Sequence, residues 1–211
     1  MYKRMLLLGL IMIGLAAAPV RAQDAAAASA NKATFNLTVN PAILSCLQQS
    51  TKNAPTATVT VVEGKLNDTL VIKLKHVKPG LAFDLFTVQN SRFLSTGALD
   101  PAFVNFGLAW YQSDIQVGKS GSGSAKIQTI LVNQIFGFDP EATLAPTNTF
   151  HVGFWFNNPA DAAACGFTGT TPFNGEHMAG PLAMESVPNA TTDLGPLCLN
   201  PTSSAPFSCN P

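Results

Sequence analysis

The strongest structural signal in this chain is an alternation of apolar and polar side chains that recurs in short segments along most of its length. It is clearest over residues 147–156, where one face of the expected strand carries four apolar side chains: Phe150, Val152, Phe154 and Phe156. Successive side chains of a β-strand point to opposite faces, so this period indicates strands with one face in a core. We expect further strands at 33–39, 56–62, 70–75, 81–88, 103–111, 114–117 and 125–132.

Glycine, proline and asparagine separate these segments, and helical periodicity is nearly absent. The pattern predicts an all-β fold, a β-sandwich of about seven to nine strands that is immunoglobulin-like or jelly-roll-like. Lys78-Pro79-Gly80 predicts a turn after the strand at 70–75, with residues 81–88 as the partner strand.

One short helix is expected near residues 159–165. Asn158 can cap it, Pro159 stands where a missing N–H costs nothing, and Gly166 can end it. The segment from about 167 to 211 is rich in proline, glycine, asparagine and threonine, which predicts an irregular C-terminal tail. Residues 33–211 are therefore interpreted as one domain that includes this tail.

The first 22 residues have the pattern of a signal peptide of bacterial type. A short cationic start precedes an apolar run over 5–18 that is too short to span a bilayer, and small residues at Val20 and Ala22 suit signal peptidase. We therefore expect a secreted or periplasmic protein with no membrane span. Residues 23–32 are alanine-rich and predict a flexible leader. Asn36, Asn67 and Asn189 begin glycosylation sequons, which matter only in a eukaryotic host.

Charge argues against one class of partner. The chain has twelve basic and twelve acidic side chains, and removal of residues 1–22 would take away three basic ones, for a net charge near −3. A nucleic-acid-binding protein normally carries a basic footprint, so we expect no nucleic acid partner. The sequence also lacks G-x-S-x-G and H-E-x-x-H, and we expect no enzymatic activity.

Four cysteines in an oxidising compartment predict two disulfides, and three pairings are possible. Cys198 and Cys209 are close together in the tail, which favours a bond between them. Cys46 and Cys165 then pair by elimination.

A metal site is the alternative use of these residues. A blue-copper centre needs a thiolate, two imidazoles and a weak thioether ligand, and the chain offers Cys165, His177, Met178 and, at the end of a strand, His76. This order of His, Cys, His and Met resembles the cupredoxin family, which are secreted β-sandwiches. The resemblance implies copper as a cofactor. If the chain is not of this kind, we expect no cofactor.

Exposed aromatic residues are the best candidates for a binding surface. Trp110 and Tyr111 end one expected strand, and Trp155 faces away from the apolar side of the strand at 147–156. Such rings can stack on a sugar or anchor a partner protein. Trp155 has two interpretations: it binds a ligand, or a second layer, such as the tail, covers it.

The segment from Ala33 to Cys46 runs an alternating strand into a cysteine. It resembles the first strand of chaperone–usher pilins and of spore-coat-U-like domains, and it implies a pilin-like surface subunit as a further alternative. The leading hypothesis is an exported, non-enzymatic protein with a structural, adhesive or surface-binding role toward an unknown protein or glycan.

Overall fold

The computed structural model describes residues 32–64, 67–129, 137–139, 144–147, 149–168 and 177–198. The expected signal peptide, almost all of the leader and Cys209 lie outside these residues. The described strands are β1 (Lys32–Asn36), β2 (Thr38–Val39), β3 (Thr56–Val62), β4 (Asp68–Lys75), β5 (Ala82–Val88), β6 (Ala109–Gln116), β7 (Gly123–Thr129), β8 (Gly137–Asp139), β9 (Leu144–Thr147), β10 (Thr149–Phe156), β11 (Leu182–Glu185) and β12 (Leu197–Cys198). A 3-10 helix (Pro41–Ile43) leads into α1 (Leu44–Leu47), and a second 3-10 helix spans Pro159–Cys165.

The strands form two antiparallel sheets. The first sheet has the order β1-β3-β4-β7, and the second has the order β2-β11-β10-β5-β6, with β12 also paired to β10. Among the described residues, β8 and β9 pair with each other in a separate two-stranded sheet. The all-β sandwich is thus confirmed. Within the described residues, no helix has the length and apolar character needed to cross a membrane.

The main core lies between the two sheets and explains the alternation in the sequence. In β3 and β4 every second residue is buried, whereas the residues between them are exposed or partly exposed. The second sheet contributes phenylalanines from β5 and β10, and the ring of Phe83 meets those of Phe154 and Phe156 edge-on at 4.9 and 5.2 Å. Such edge-to-face pairs add to the stabilisation that burial itself gives.

The strand expected at 33–39 belongs to both sheets. β1 pairs with β3 in the first sheet, and β2 pairs with β11 in the second. Between them Leu37 is buried, and its N–H still donates to the carbonyl of Ala57 at 2.9 Å. The chain therefore crosses from one sheet to the other at this residue.

The expected pairing of residues 81–88 with the strand before it is wrong. Gly80 adopts a positive φ of 88°, as the turn requires, but the chain then enters the second sheet, where β5 lies between β10 and β6. The reason is burial: six of the seven residues of β5 are buried, which suits a central strand covered on both faces rather than one of a hairpin with a solvated face.

Two other boundaries differ from the prediction. Residues 103–108 form part of a loop, and the expected strands at 103–111 and 114–117 are replaced by the single strand β6. The tail expected from residue 167 contains β11, whose four residues are all buried and so show no polar alternation.

The short helix at residues 159–165 is confirmed, and it is a 3-10 helix. Asn158 accepts a hydrogen bond from the N–H of Ala160 at 3.0 Å, and Gly166 ends the helix with a φ of 81°. The predicted bond between Cys46 and Cys165 is also confirmed and joins this helix to α1. The pairing of Cys198 with Cys209 stays a prediction, because Cys209 lies outside the described residues.

Candidate binding site

A second apolar cluster covers the outer face of the second sheet. It consists of Phe86, Val88, Phe93, Trp155, Ala179 and Leu182. Trp155 is only 2 % exposed, and its ring lies 5.2 Å from that of Phe86 and 5.0 Å from that of Phe106. Of the two interpretations of Trp155, the covered one is confirmed. The covering layer comes from the loop between β5 and β6 as well as from residues 177–182, so Trp155 has no free ring face for a ligand.

The loop between β5 and β6, residues 89–108, is held by hydrogen bonds at its base and by contacts of Arg92 in its middle. The N–H of Gln89 donates to the carbonyl of Leu108 at 2.8 Å, and the N–H of Asn90 donates to that of Phe106 at 3.0 Å. The guanidinium of Arg92 donates to the carbonyl of Asp100 at 2.8 Å and lies 4.9 Å from the centre of the Phe103 ring. These contacts give the loop a defined shape.

A buried carboxyl group joins this loop to the sheet. The Oε2 atom of Glu185 on β11 accepts hydrogen bonds from the N–H of Arg92 at 2.7 Å and from the hydroxyl of Ser91 at 3.2 Å. The other oxygen, Oε1, is buried and has no hydrogen-bond partner among the described residues. Burial raises the pKa of Glu185 to about 8, and the two hydrogen bonds and the charge of Arg92 only partly oppose this. The carboxyl group is therefore mostly protonated at neutral pH.

His151 on β10 is also held neutral by burial, which shifts the pKa of a base in the opposite direction. Burial lowers its pKa to about 4, and a hydrogen bond to Ser186 opposes this weakly. Its Nδ1 atom lies 3.1 Å from both the carbonyl oxygen and the hydroxyl of Ser186. Because a carbonyl oxygen can only accept, Nδ1 carries the proton in the bond to that carbonyl. The imidazole is thus fixed in position as an uncharged group.

A cleft of about 650 Å³ opens between the β5–β6 loop and residues 188–193, with Thr149 and His151 also lining it. Its polar lining includes the side-chain amides of Asn90 and Asn105 and the hydroxyl of Ser95. It also includes the carboxylates of Asp100 and Asp193. Phe103 adds an aromatic ring, and Leu94 and Val104 are exposed, Val104 to 87 %. No lysine or arginine is among the described residues that line this space. The cleft therefore suits an uncharged ligand with hydroxyl groups better than an anionic one.

The other predicted aromatic residues lie elsewhere. Trp110 and Tyr111 are each 43 % exposed on β6, an edge strand of the second sheet. The ring of Tyr111 lies 5.6 Å from that of Phe86, its hydroxyl donates to Asp114, and the ring of Trp110 lies 4.8 Å from that of Phe150. The structure does not bring Trp110, Tyr111 and Trp155 together on one exposed surface. A binding role for Trp110 and Tyr111 stays a prediction.

The disulfide contradicts the copper alternative, because the sulfur of Cys165 is bonded to that of Cys46 and offers no thiolate. The Nε2 atom of His177 lies 3.6 Å from Oδ2 of the buried Asp84, Met178 is exposed, and His76 follows β4 at a turn. In the part of the chain that the structure describes, no three His, Cys, Asp or Glu residues form a group that could hold a metal ion.

Comparison with protein-family models, with curated proteins and with solved structures finds no significant match. Inferences about function therefore rest on the geometry of this chain.

Sequence reasoning missed the cleft, because its residues have no period and no known motif. One signal was present: the strands expected at 81–88 and 103–111 leave fourteen residues between them, and in the structure the loop from β5 to β6 is longer still, at twenty residues. Loops this long within a compact domain are uncommon and often functional.

Proposed function

We propose that the protein is an exported, non-enzymatic binding protein, and that its cleft between residues 89–108 and 188–193 binds a neutral saccharide. The observation that carries this proposal is the chemistry of the lining, where amides, a hydroxyl and carboxylates lie beside an aromatic ring and none of the described lining residues is a lysine or an arginine. These groups can exchange hydrogen bonds with sugar hydroxyls, and a ring can stack on the apolar face of a sugar.

Two polar groups of the lining are also hydrogen-bonded within the protein. The imidazole of His151 is neutral and its Nδ1 is engaged with Ser186, while one oxygen of Asp100 accepts a bond from the N–H of Ala102 at 2.8 Å. Both groups thus have structural partners. The export part of the proposal rests on the signal-like pattern of the first 22 residues.

The test begins with a glycan array probed with the purified protein at neutral pH. We expect binding to neutral glycans, and we expect Ser95→Trp to weaken that binding by about tenfold or more, because the indole would fill the mouth of the cleft. Isothermal titration with the best glycan measures the change. Ser95 is exposed, so its replacement leaves both apolar cores intact.

Ser120→Trp is the matched control, since Ser120 is also exposed but lies in the turn between β6 and β7, at the other end of β6. It should bind like the unchanged protein. Equal affinity of the Ser95→Trp variant and the unchanged protein, or no glycan bound at all, would contradict the proposal.

A further inference from the structure

The outer face of the first sheet carries a second, chemically different surface. This surface, here called the Thr/Lys face, is formed by the side chains of β1, β3, β4 and β7 that point away from the core. Its charged residues are Lys32, Lys73, Lys75 and Lys126, and all four are exposed. Threonines alternate along β3 beside them, at Thr56, Thr58 and Thr60.

Charge is segregated on this face. The whole chain has as many acidic as basic residues, yet no carboxylate occupies an outward position of these four strands among the described residues. Within the same part of the chain, none of the four lysines forms a salt bridge. Four positive charges therefore face solvent together without a neighbouring anion from the sheet.

Strand register places hydroxyl groups beside these charges. Thr56 pairs with Lys75 and Thr58 with Lys73, while on the other side Lys73 pairs with Ser124. Neighbouring strands are about 4.8 Å apart, and side chains on one face of a strand repeat about every 7 Å. Lysine and hydroxyl groups thus form a regular array rather than a single point of charge.

Lys73 and Lys75 form a ridge between two shallow grooves. One groove, of about 310 Å³, includes the three threonines of β3. The other, of about 270 Å³, includes Ser122 and Ser124. Each groove has ammonium groups along one side and hydroxyl groups along the other.

We infer that the Thr/Lys face binds a linear acidic polysaccharide. The ammonium groups would pair with its carboxylates, and the threonine and serine hydroxyls would bond to its sugar hydroxyls. An anionic membrane fits less well, because none of the large apolar side chains that the described residues expose lies on this face to enter the lipid. Nucleic acid also fits less well, because the face has no arginine and no aromatic ring.

The test measures binding of the full mature chain to polygalacturonate at low and at physiological salt. Neutral dextran and vesicles of phosphatidylglycerol with phosphatidylcholine are run in parallel. The variant Lys73→Gln/Lys75→Gln/Lys126→Gln should lose about tenfold or more in affinity for polygalacturonate, and its dependence on salt should become weaker.

The matched control is Lys52→Gln/Lys78→Gln/Lys119→Gln, which removes the same charge from exposed positions outside the four strands. Its affinity should stay within about twofold of the unchanged protein. Circular dichroism and thermal unfolding of both variants show that each is folded. The Ser95→Trp variant should bind polygalacturonate normally, which separates this surface from the cleft.

Three results would overturn the inference: no binding of the unchanged chain to polygalacturonate, equal losses in the two triple variants, or tighter binding to the anionic vesicles than to the polysaccharide. The second would show that general charge attraction is enough. The third would assign the face to a membrane surface.

Discussion

Replacing both Cys46 and Cys165 with alanine is expected to lower the free energy of unfolding by about 4 kcal/mol. The bond closes a loop over a sequence separation of 119 residues, and a cross-link over so long a loop removes much of the conformational entropy of the unfolded chain. It also joins two short helices, α1 and the 3-10 helix Pro159–Cys165. Urea unfolding of the variant and the unchanged protein, both oxidised, measures the difference.

Ser45→Ala is the control for this experiment. The hydroxyl of Ser45 lies 3.1 Å from the sulfur of Cys165, so its removal changes the surroundings of the bond and keeps the bond itself. It should cost about 1 kcal/mol or less. If the double alanine variant were as stable as Ser45→Ala, the cross-link would not be a main source of stability.

The second large effect is a loss of stability between about pH 6.5 and pH 8. Burial raises the pKa of Glu185 to about 8 in the folded chain, from an ordinary value of 4.5. Between these two values the folded state binds more protons than the unfolded state, so the free energy of unfolding falls as pH rises. Over the interval from 6.5 to 8 the contribution of Glu185 falls by about 1.6 kcal/mol, because the slope of roughly 1.4 kcal/mol per pH unit decreases as the pH approaches the folded pKa.

His151 confines the loss of stability to pH values above about 6.5. Its pKa falls from 6.5 to about 4 on folding, so between these values the unfolded state binds more protons and stability rises with pH. This rise offsets the effect of Glu185 over most of that range. Stability should therefore be nearly constant from about pH 4.5 to 6.5 and should decline above it.

Glu185→Gln tests the assignment, because glutamine keeps an oxygen for the N–H of Arg92 and cannot ionise. Urea unfolding at pH 6.5 and pH 8 should show the decline in the unchanged protein and almost none in the variant. Asp114→Asn, at an exposed carboxyl on β6, should keep the full decline. An undiminished decline in Glu185→Gln would assign the effect to another group.

The parts of the fold that were predictable are those with one buried face. β3 lies at the predicted residues, 56–62, because its core side and its solvent side differ in polarity at every step. The helix cap at Asn158 and the left-handed conformation of Gly166 depend only on neighbouring residues, so both were also predictable. β5 was predicted at its residues but with the wrong partner strand, and β11 was not predicted, because a strand buried on both faces shows no alternation of polar and apolar residues.

The candidate site was much less predictable, since it depends on contacts between distant residues. Glu185 meets Ser91 and Arg92 across more than ninety positions, and His151 meets Ser186 across thirty-five. Nothing around Glu185 in the sequence marks it as buried, and its segment was interpreted as an irregular tail. The bond between Cys46 and Cys165 was predictable only because two other cysteines were close enough to pair with each other.

The crossing of the chain at Leu37 has a consequence for the order of assembly. β1 can pair with β3 early, since their residues are near in sequence, but β2 must wait for β11, about 145 positions later. Contacts between such distant residues slow folding, because a long loop must close before the contact is made. The second sheet is thus complete only when β2 pairs with β11. We therefore expect the pairing of residues 38–39 to be among the last events of folding.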